Sequence, residues 1–174
     1  MIDGGPGAEP SGRLDAWLVT DERAELIAAI RRLAAGWDLQ PRAEDLALPD
    51  LRIHRRDVVH TNHPTFGYLI RTVSSSLRVV WAPEFLRFPG WAEAVDLMFA
   101  EASSWNRPIR FVGGVGGHLD VLRVAEEAKH HDVGRLVFAH IGRPTIRAMD
   151  RGERAPFGEF ASDGQVFLAR ARSR

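Results

Sequence analysis

The sequence contains no cysteine. That excludes disulfides, thiolate zinc centres and a cysteine nucleophile, and it leaves His, Asp and Glu to hold any metal. Lysine is almost missing as well. Lys129 is the only one, and every other basic side chain is arginine, which reads as coding bias. Net charge is missing too, since 23 basic residues balance 23 acidic ones. A nucleic-acid partner is therefore not indicated by charge, although a local patch is compatible with the balance. No apolar run approaches the roughly 18 residues that a membrane span needs. The opening MIDGGPGAEP is acidic and glycine-rich, unlike a signal peptide. These absences imply a soluble, cytoplasmic chain with no membrane partner.

What is present suits one globular domain over residues 1–174. Hydrophobic residues make up 45% of the chain and charged residues 26%, an ordinary balance for a chain long enough to bury a core. Residues 1–12 form a glycine- and proline-rich loop with a very short segment at Ile2-Asp3. Residues 14–20 (LDAWLVT) predict a buried strand. Residues 21–35 place Leu26, Ile27, Ile30 and Leu33 on one helical face, with Asp21 as the cap. Residues 36–50 predict a loop and residues 51–60 a strand. Residues 66–73 and 77–81 predict a hairpin around Ser74-Ser75-Ser76. Residues 96–100 predict another strand, residues 145–151 a short helix and residues 165–171 a closing strand.

The most informative stretch is FVGGVGGHLDVLRVAEEAKHHDVGRLVFAHIGRP, residues 111–144. It reads as glycine loop, His118, helix, turn, strand and His140. Leu119, Leu122, Val124, Ala125 and Ala128 recur at helical spacing, and residues 136–139 are short and apolar like a buried strand. His140 would then sit near the carboxyl end of a strand inside an α/β layer, where such folds place their chemistry. The glycines match neither a dinucleotide fingerprint nor a phosphate loop, because Leu119 stands at the last glycine position of the one and no Lys-Ser/Thr follows for the other. They predict a tight turn that brings His118 close to another backbone segment.

Seven histidines are the candidates for chemistry. His130 and His131 end a polar helix and read as solvated, and His54 reads as an exposed strand residue. His60, His118 and His140 each lie at a junction between an element and a loop, and Glu84 ends another strand. Zinc centres combine imidazole nitrogens and carboxylate oxygens from several strand ends in this way. His63 competes with His60, but His60 directly follows the Val58-Val59 strand whereas His63 precedes Pro64 in a turn.

These segments resemble the metallo-β-lactamase superfamily, in its ribonuclease Z-like and phosphodiesterase-like branch. GGHLDVLRVAEEAKHHDVGRLVFAHIG resembles its Gly-His helix and the strand that ends in a metal-ligand histidine. VVHTNHPTFGYLI resembles its ligand-bearing strand with Gly-Tyr, RVVWAPEF the strand that carries a bridging aspartate, and MIDGG its Ile-Asp-Cys-Gly strand. The resemblance implies an αββα sandwich with an incomplete front half, since the family has further strands before that point. A sheet edge left open there would seek a second chain or a second copy.

The family's defining His-x-His-x-Asp-His should follow Leu18-Val19-Thr20. In that register stand Asp21, Arg23, Glu25 and Leu26, two carboxylates and no imidazole. Neither a guanidinium nor a leucine can ligate a metal. The resemblance therefore implies a reduced site of His60, Glu84 and His140, with Asp21 or Glu25, holding one zinc ion or none. His118 would be the catalytic, proton-donating histidine. The implied activity is metal-dependent hydrolysis of a phosphodiester or related ester on a small-molecule or phosphodiester substrate. Two alternatives stay open. One is an inactive relative, its carboxylates neutralised by Arg23, that binds an anionic ligand or a protein partner. The other is a truncated form completed by another chain.

Overall fold

The structure is a computed structural model that describes residues 1–172. The chain divides into two compact units, Met1–Asp45 and the chain from Leu46 onward. In the first unit the expected strand at residues 14–20 is reduced to isolated bridges, Ile2 to Leu18 and Leu18 to Arg42. Trp17, Val19, Ile30 and Ala34 form its small core. Its helix, α1, spans Ile27–Ala34 and starts six residues later than the periodicity predicts. The physical reason lies in the polar residues before it. The Asp21 carboxylate accepts the Arg23 amide at 2.7 Å and closes a local turn, a competing use of the backbone that Asp commonly offers. Glu22 turns away to accept the Ala43 amide. Leu26 therefore occupies the cap position without a side-chain hydrogen bond.

The second unit is a seven-stranded sheet with two helices. Its strands are β1 (Leu46–Ala47), β2 (Leu51–Val58), β3 (Thr65–Thr72), β4 (Arg78–Ala82), β5 (Leu97–Ala102), β8 (Leu136–Ile141) and β9 (Glu159–Phe160). The order across the sheet is β1-β2-β3-β4-β5-β8-β9. Neighbours from β1 to β4 are antiparallel, and those from β4 to β9 are parallel. A separate two-stranded ribbon joins β6 (Ile109–Arg110) to β7 (Gly117–His118). Helices α2 (Val121–His130) and α3 (Arg143–Asp150) follow β7 and β8.

His118 therefore lies on β7 rather than opening the helix. The helix starts at Val121 because Asp120, in extended conformation, caps it by accepting the Arg123 amide at 3.1 Å. Val121, Val124, Ala125 and Ala128 recur at i, i+3, i+4 and i+7, and all are fully buried. They pack with Val80, Ala82, Met98, Ala100, Leu136 and Phe138 from the sheet to form the main core.

The closing strand expected at residues 165–171 does not form. Its alternating pattern leaves Val166 and Leu168 exposed, while Phe167 packs its ring on Phe99 at 5.3 Å. Glu159–Phe160 takes the edge instead, where Phe160 stacks on Phe138 at 4.9 Å. No helix among the described residues is long and apolar enough to cross a membrane.

Candidate metal centre

Strand direction assembles the site. β3 turns back between β2 and β4, so β2 and β4 run the same way, and β5 and β8 are parallel to β4. The carboxyl ends of β2, β4, β5 and β8 therefore share one edge of the sheet. His60 and Glu84 each stand two residues beyond their strands, Ser103 stands one beyond β5, and His140 is the penultimate residue of β8. His140 adopts φ +50°, a left-handed conformation costly for a residue with a Cβ. The β5–β8 register shifts between Ala100 and Ala102, just before this point.

The ribbon brings in the fourth group. Gly117 donates its amide to the His60 carbonyl at 2.8 Å, and His60 Nδ1 lies 3.0 Å from the Gly117 carbonyl. That mutual approach requires glycine. A Cβ on Gly116 would overlap the His60 carbonyl, and one on Gly117, at φ +150°, would overlap the Ile109 carbonyl. The close approach to another backbone that the glycine run predicts is thus made to His60. Phe111 then sets its ring edge-on to both imidazoles, 5.5 Å from His60 and 5.4 Å from His118.

Hydrogen-bond partners assign the ring nitrogens. His60 Nδ1 is taken by the Gly117 carbonyl, so that nitrogen donates and Nε2 carries the lone pair. His118 Nδ1 lies 2.7 Å from Glu101 Oε2, which leaves its Nε2 as ligand or base. His140 Nδ1 meets Ser103 Oγ at 2.9 Å, and its Nε2 points at Glu84 Oε1 at 3.2 Å. His60 Nε2 lies 3.8 Å from the same Glu84 oxygen. Two ring nitrogens thus face one carboxylate oxygen. Ring nitrogens so placed either donate their protons to the carboxylate or share a cation with it. The tightest group is Glu84, His118 and His140, which offer one ligand atom each within 4.8 Å of one another. Nitrogen and carboxylate donors of this kind fit a zinc-like ion with an open position, and each histidine has the outer hydrogen bond that commonly orients a metal ligand.

Glu101 is the residue that sequence reasoning missed. It is 0% exposed inside the apolar strand LMFAEA. Its oxygens accept the Phe85 and Ser103 amides at 3.2 and 2.8 Å as well as His118 Nδ1, and Oε1 lies 3.6 Å from His140 Nδ1. Burial pushes its carboxyl up. The hydrogen bonds from His118 and His140, the His118 charge and Ser103 outweigh that and hold it at about 2. It is therefore a permanent buried carboxylate that braces two histidines. The signal in the sequence was a charged residue inside a buried run, which is rare unless paired.

The remaining expected ligands lie in the first unit. Asp21 is buried, 7% exposed, and holds the Arg23 amide. Glu25, Arg23 and Leu26 are exposed. Each therefore has a local description in that unit, whereas His60, Glu84, His118 and His140 converge in the other.

No protein-family model matches the chain, and no curated protein matches it. Solved structures do match. The metallo-β-lactamase fold protein YhfI from Bacillus subtilis aligns at TM-score 0.68 and 17% identity, over 96% of this chain and 86% of its own. A new diphosphatase from the PhnP family aligns at 0.64 and 16%, over 94% and 76%. An isothiocyanate hydrolase from Delia radicum gut bacteria aligns at 0.55 and 9%, over 91% and 79%. At these identities the likeness speaks to architecture, and it agrees with the mixed sheet and its helices. The α/β fold of this chain is the metallo-β-lactamase fold.

Proposed function

We propose that the chain is a metal-dependent hydrolase of a phosphodiester or related ester, with a reduced site that holds one zinc ion. The observation that carries the reading is the pair of imidazole Nε2 atoms facing Glu84 Oε1 at 3.2 and 3.8 Å. The names of the aligned structures, a diphosphatase and a hydrolase among them, support it as analogy.

His60, Glu84 and His140 are assigned as ligands, and His118 as the residue that moves the proton. Glu84, His118 and His140 form the tighter group, but their partners differ in kind. His60 Nδ1 faces a neutral carbonyl, so its buried Nε2 is best satisfied by a metal. His118 faces an ionised carboxylate, the arrangement that holds an imidazole in one tautomer and stabilises the imidazolium formed during turnover. A zinc-like ion held by His60, Glu84 and His140 would supply Lewis-acid polarisation and would make the attacking water more acidic. His118 Nε2 takes a proton from the attacking water and passes it to the leaving oxygen, while Glu101 holds Nδ1–H throughout. Phe111 covers His60 and His118 on one side and limits water there.

The test is hydrolysis of aryl phosphodiesters and esters by the zinc-loaded chain and by His118→Ala. Loss of about 10²- to 10⁴-fold in rate, the usual weight of a general acid or base, with zinc retained, is the expected result. Zinc loss in His118→Ala would move that residue into the ligand set. Absence of turnover in a zinc-loaded chain across both substrate classes would favour a binding role.

A further inference from the structure

A second cavity lies next to the catalytic cluster, with a volume of about 360 Å³. Arg87, Arg110 and Arg123 line it together with Phe88, Leu119 and Glu127. Among the described residues, none of the three guanidinium groups has a hydrogen bond or an ion pair. The single acid is engaged elsewhere, because Glu127 Oε2 lies 3.7 Å from His131 Nδ1 on the next turn. Three unpartnered arginines that come from the loop after β4, from β6 and from α2 converge on one small cavity. A guanidinium offers a rigid fork of donors matched to phosphate and carboxylate oxygens.

Chain connectivity places this cavity beside the reaction. Arg87 is three residues beyond Glu84, so their Cα atoms are within about 11 Å of each other. Leu119 directly follows His118, and its amide donates to the Phe85 carbonyl at 2.7 Å. On the ribbon, Ile109 is opposite His118 and Arg110 is opposite Gly117. Side chains alternate along a strand, so Phe111 and His118 share one face of the ribbon and Arg110 takes the other. The ribbon separates the catalytic cluster from the arginine cavity by its own thickness.

We infer that the cavity lined by Arg87, Arg110 and Arg123 binds the phosphate group of a small anionic ligand, on the side of the ribbon away from the histidine cluster. The site stands apart from the hydrolase reading, and its ligand class is a small phosphate-bearing molecule. A zero net charge argues against an extended nucleic-acid track, which needs a basic stripe and not one local group of arginines.

The probe is inorganic phosphate, followed by calorimetry on the full chain stripped of metal with a chelator. Binding that weakens about tenfold or more in Arg87→Gln and in Arg123→Gln, and survives in His140→Ala and in Arg170→Gln, supports the assignment. Unchanged binding in both cavity variants overturns it. Loss in His140→Ala alone overturns it too, because the anion would then sit at the histidines. A single-stranded RNA oligomer that binds the same arginines far more tightly than phosphate overturns the small-ligand class. Metal content of the same variants is measured in parallel. A chain that binds phosphate at the arginines but holds no zinc contradicts the hydrolase reading and leaves the anion site standing.

Discussion

At the residue scale the chemistry depends on where each proton is held. Glu101 is the clearest case, since it is buried, ionised and shared between two imidazoles. Its carboxyl is held at about 2, below the ordinary 4.5. A depressed folded-state value contributes stability that is present above the ordinary value and is lost as pH falls through the folded one. Unfolding free energy of the chain should therefore drop by on the order of 3 kcal/mol between pH 4.5 and 2 from this group. In Glu101→Gln the slope over that range should flatten, as read by denaturant titrations at stepped pH. The same variant should lose turnover by at least about 10²-fold while it keeps zinc, because the amide can still hold His118 but cannot stabilise its positive charge. An unaltered rate would remove Glu101 from the mechanism. Sequence reading found His60, Glu84, His118 and His140, since each lies at a junction between an element and a loop. It did not find Glu101 or Ser103, because hydrophobic periodicity carries no information on which charged residue inside a strand is paired.

At the element scale the β6–β7 ribbon and helix α2 do separate work. The ribbon is locked to His60 by a two-way backbone exchange that only glycine permits. Gly117→Ala forces the new Cβ into the Ile109 carbonyl at a left-handed φ. It should cost at least about 2 kcal/mol in urea denaturation and weaken zinc binding as well. Asp120→Ala removes the cap of α2 and should cost about 1 kcal/mol with zinc binding unchanged. Equal effects of the two changes on zinc would mean that the ribbon has no special role in holding His60. The strands β3, β4 and β8 and helix α2 were legible because each buries a short apolar run or face. Helix α1 begins at Ile27 and not at Asp21, since Asp21 and Glu22 spend their carboxylates on other backbone amides. Residues 165–171 alternate like a strand, yet they form no ladder, and Phe167 packs its ring on Phe99 instead.

At the scale of the whole molecule, parallel strand ends gather four groups from distant points in the sequence. His60 and His140 are eighty residues apart in the chain and meet only because β2, β4, β5 and β8 run in one direction. The order of short motifs along the chain made that fold readable, although no single motif was decisive and the expected histidine signature was replaced at Asp21, Arg23, Glu25 and Leu26. Three ring nitrogens and a carboxylate converge in the folded chain, and a ligand bound only by the folded chain stabilises it. Zinc at a hundred times its dissociation constant should raise the unfolding free energy by about 2.7 kcal/mol and raise the melting temperature with it. Phe138→Ala, which empties the centre of the main core, should cost about 3–5 kcal/mol with or without zinc.

The most direct measurement is metal content by elemental analysis, after the chain is refolded with zinc and the excess removed. The account predicts about one zinc per chain, lost in His60→Ala and in His140→Ala and retained in His118→Ala. A chain that retains no zinc, or retains it equally in His60→Ala and His140→Ala, would contradict it.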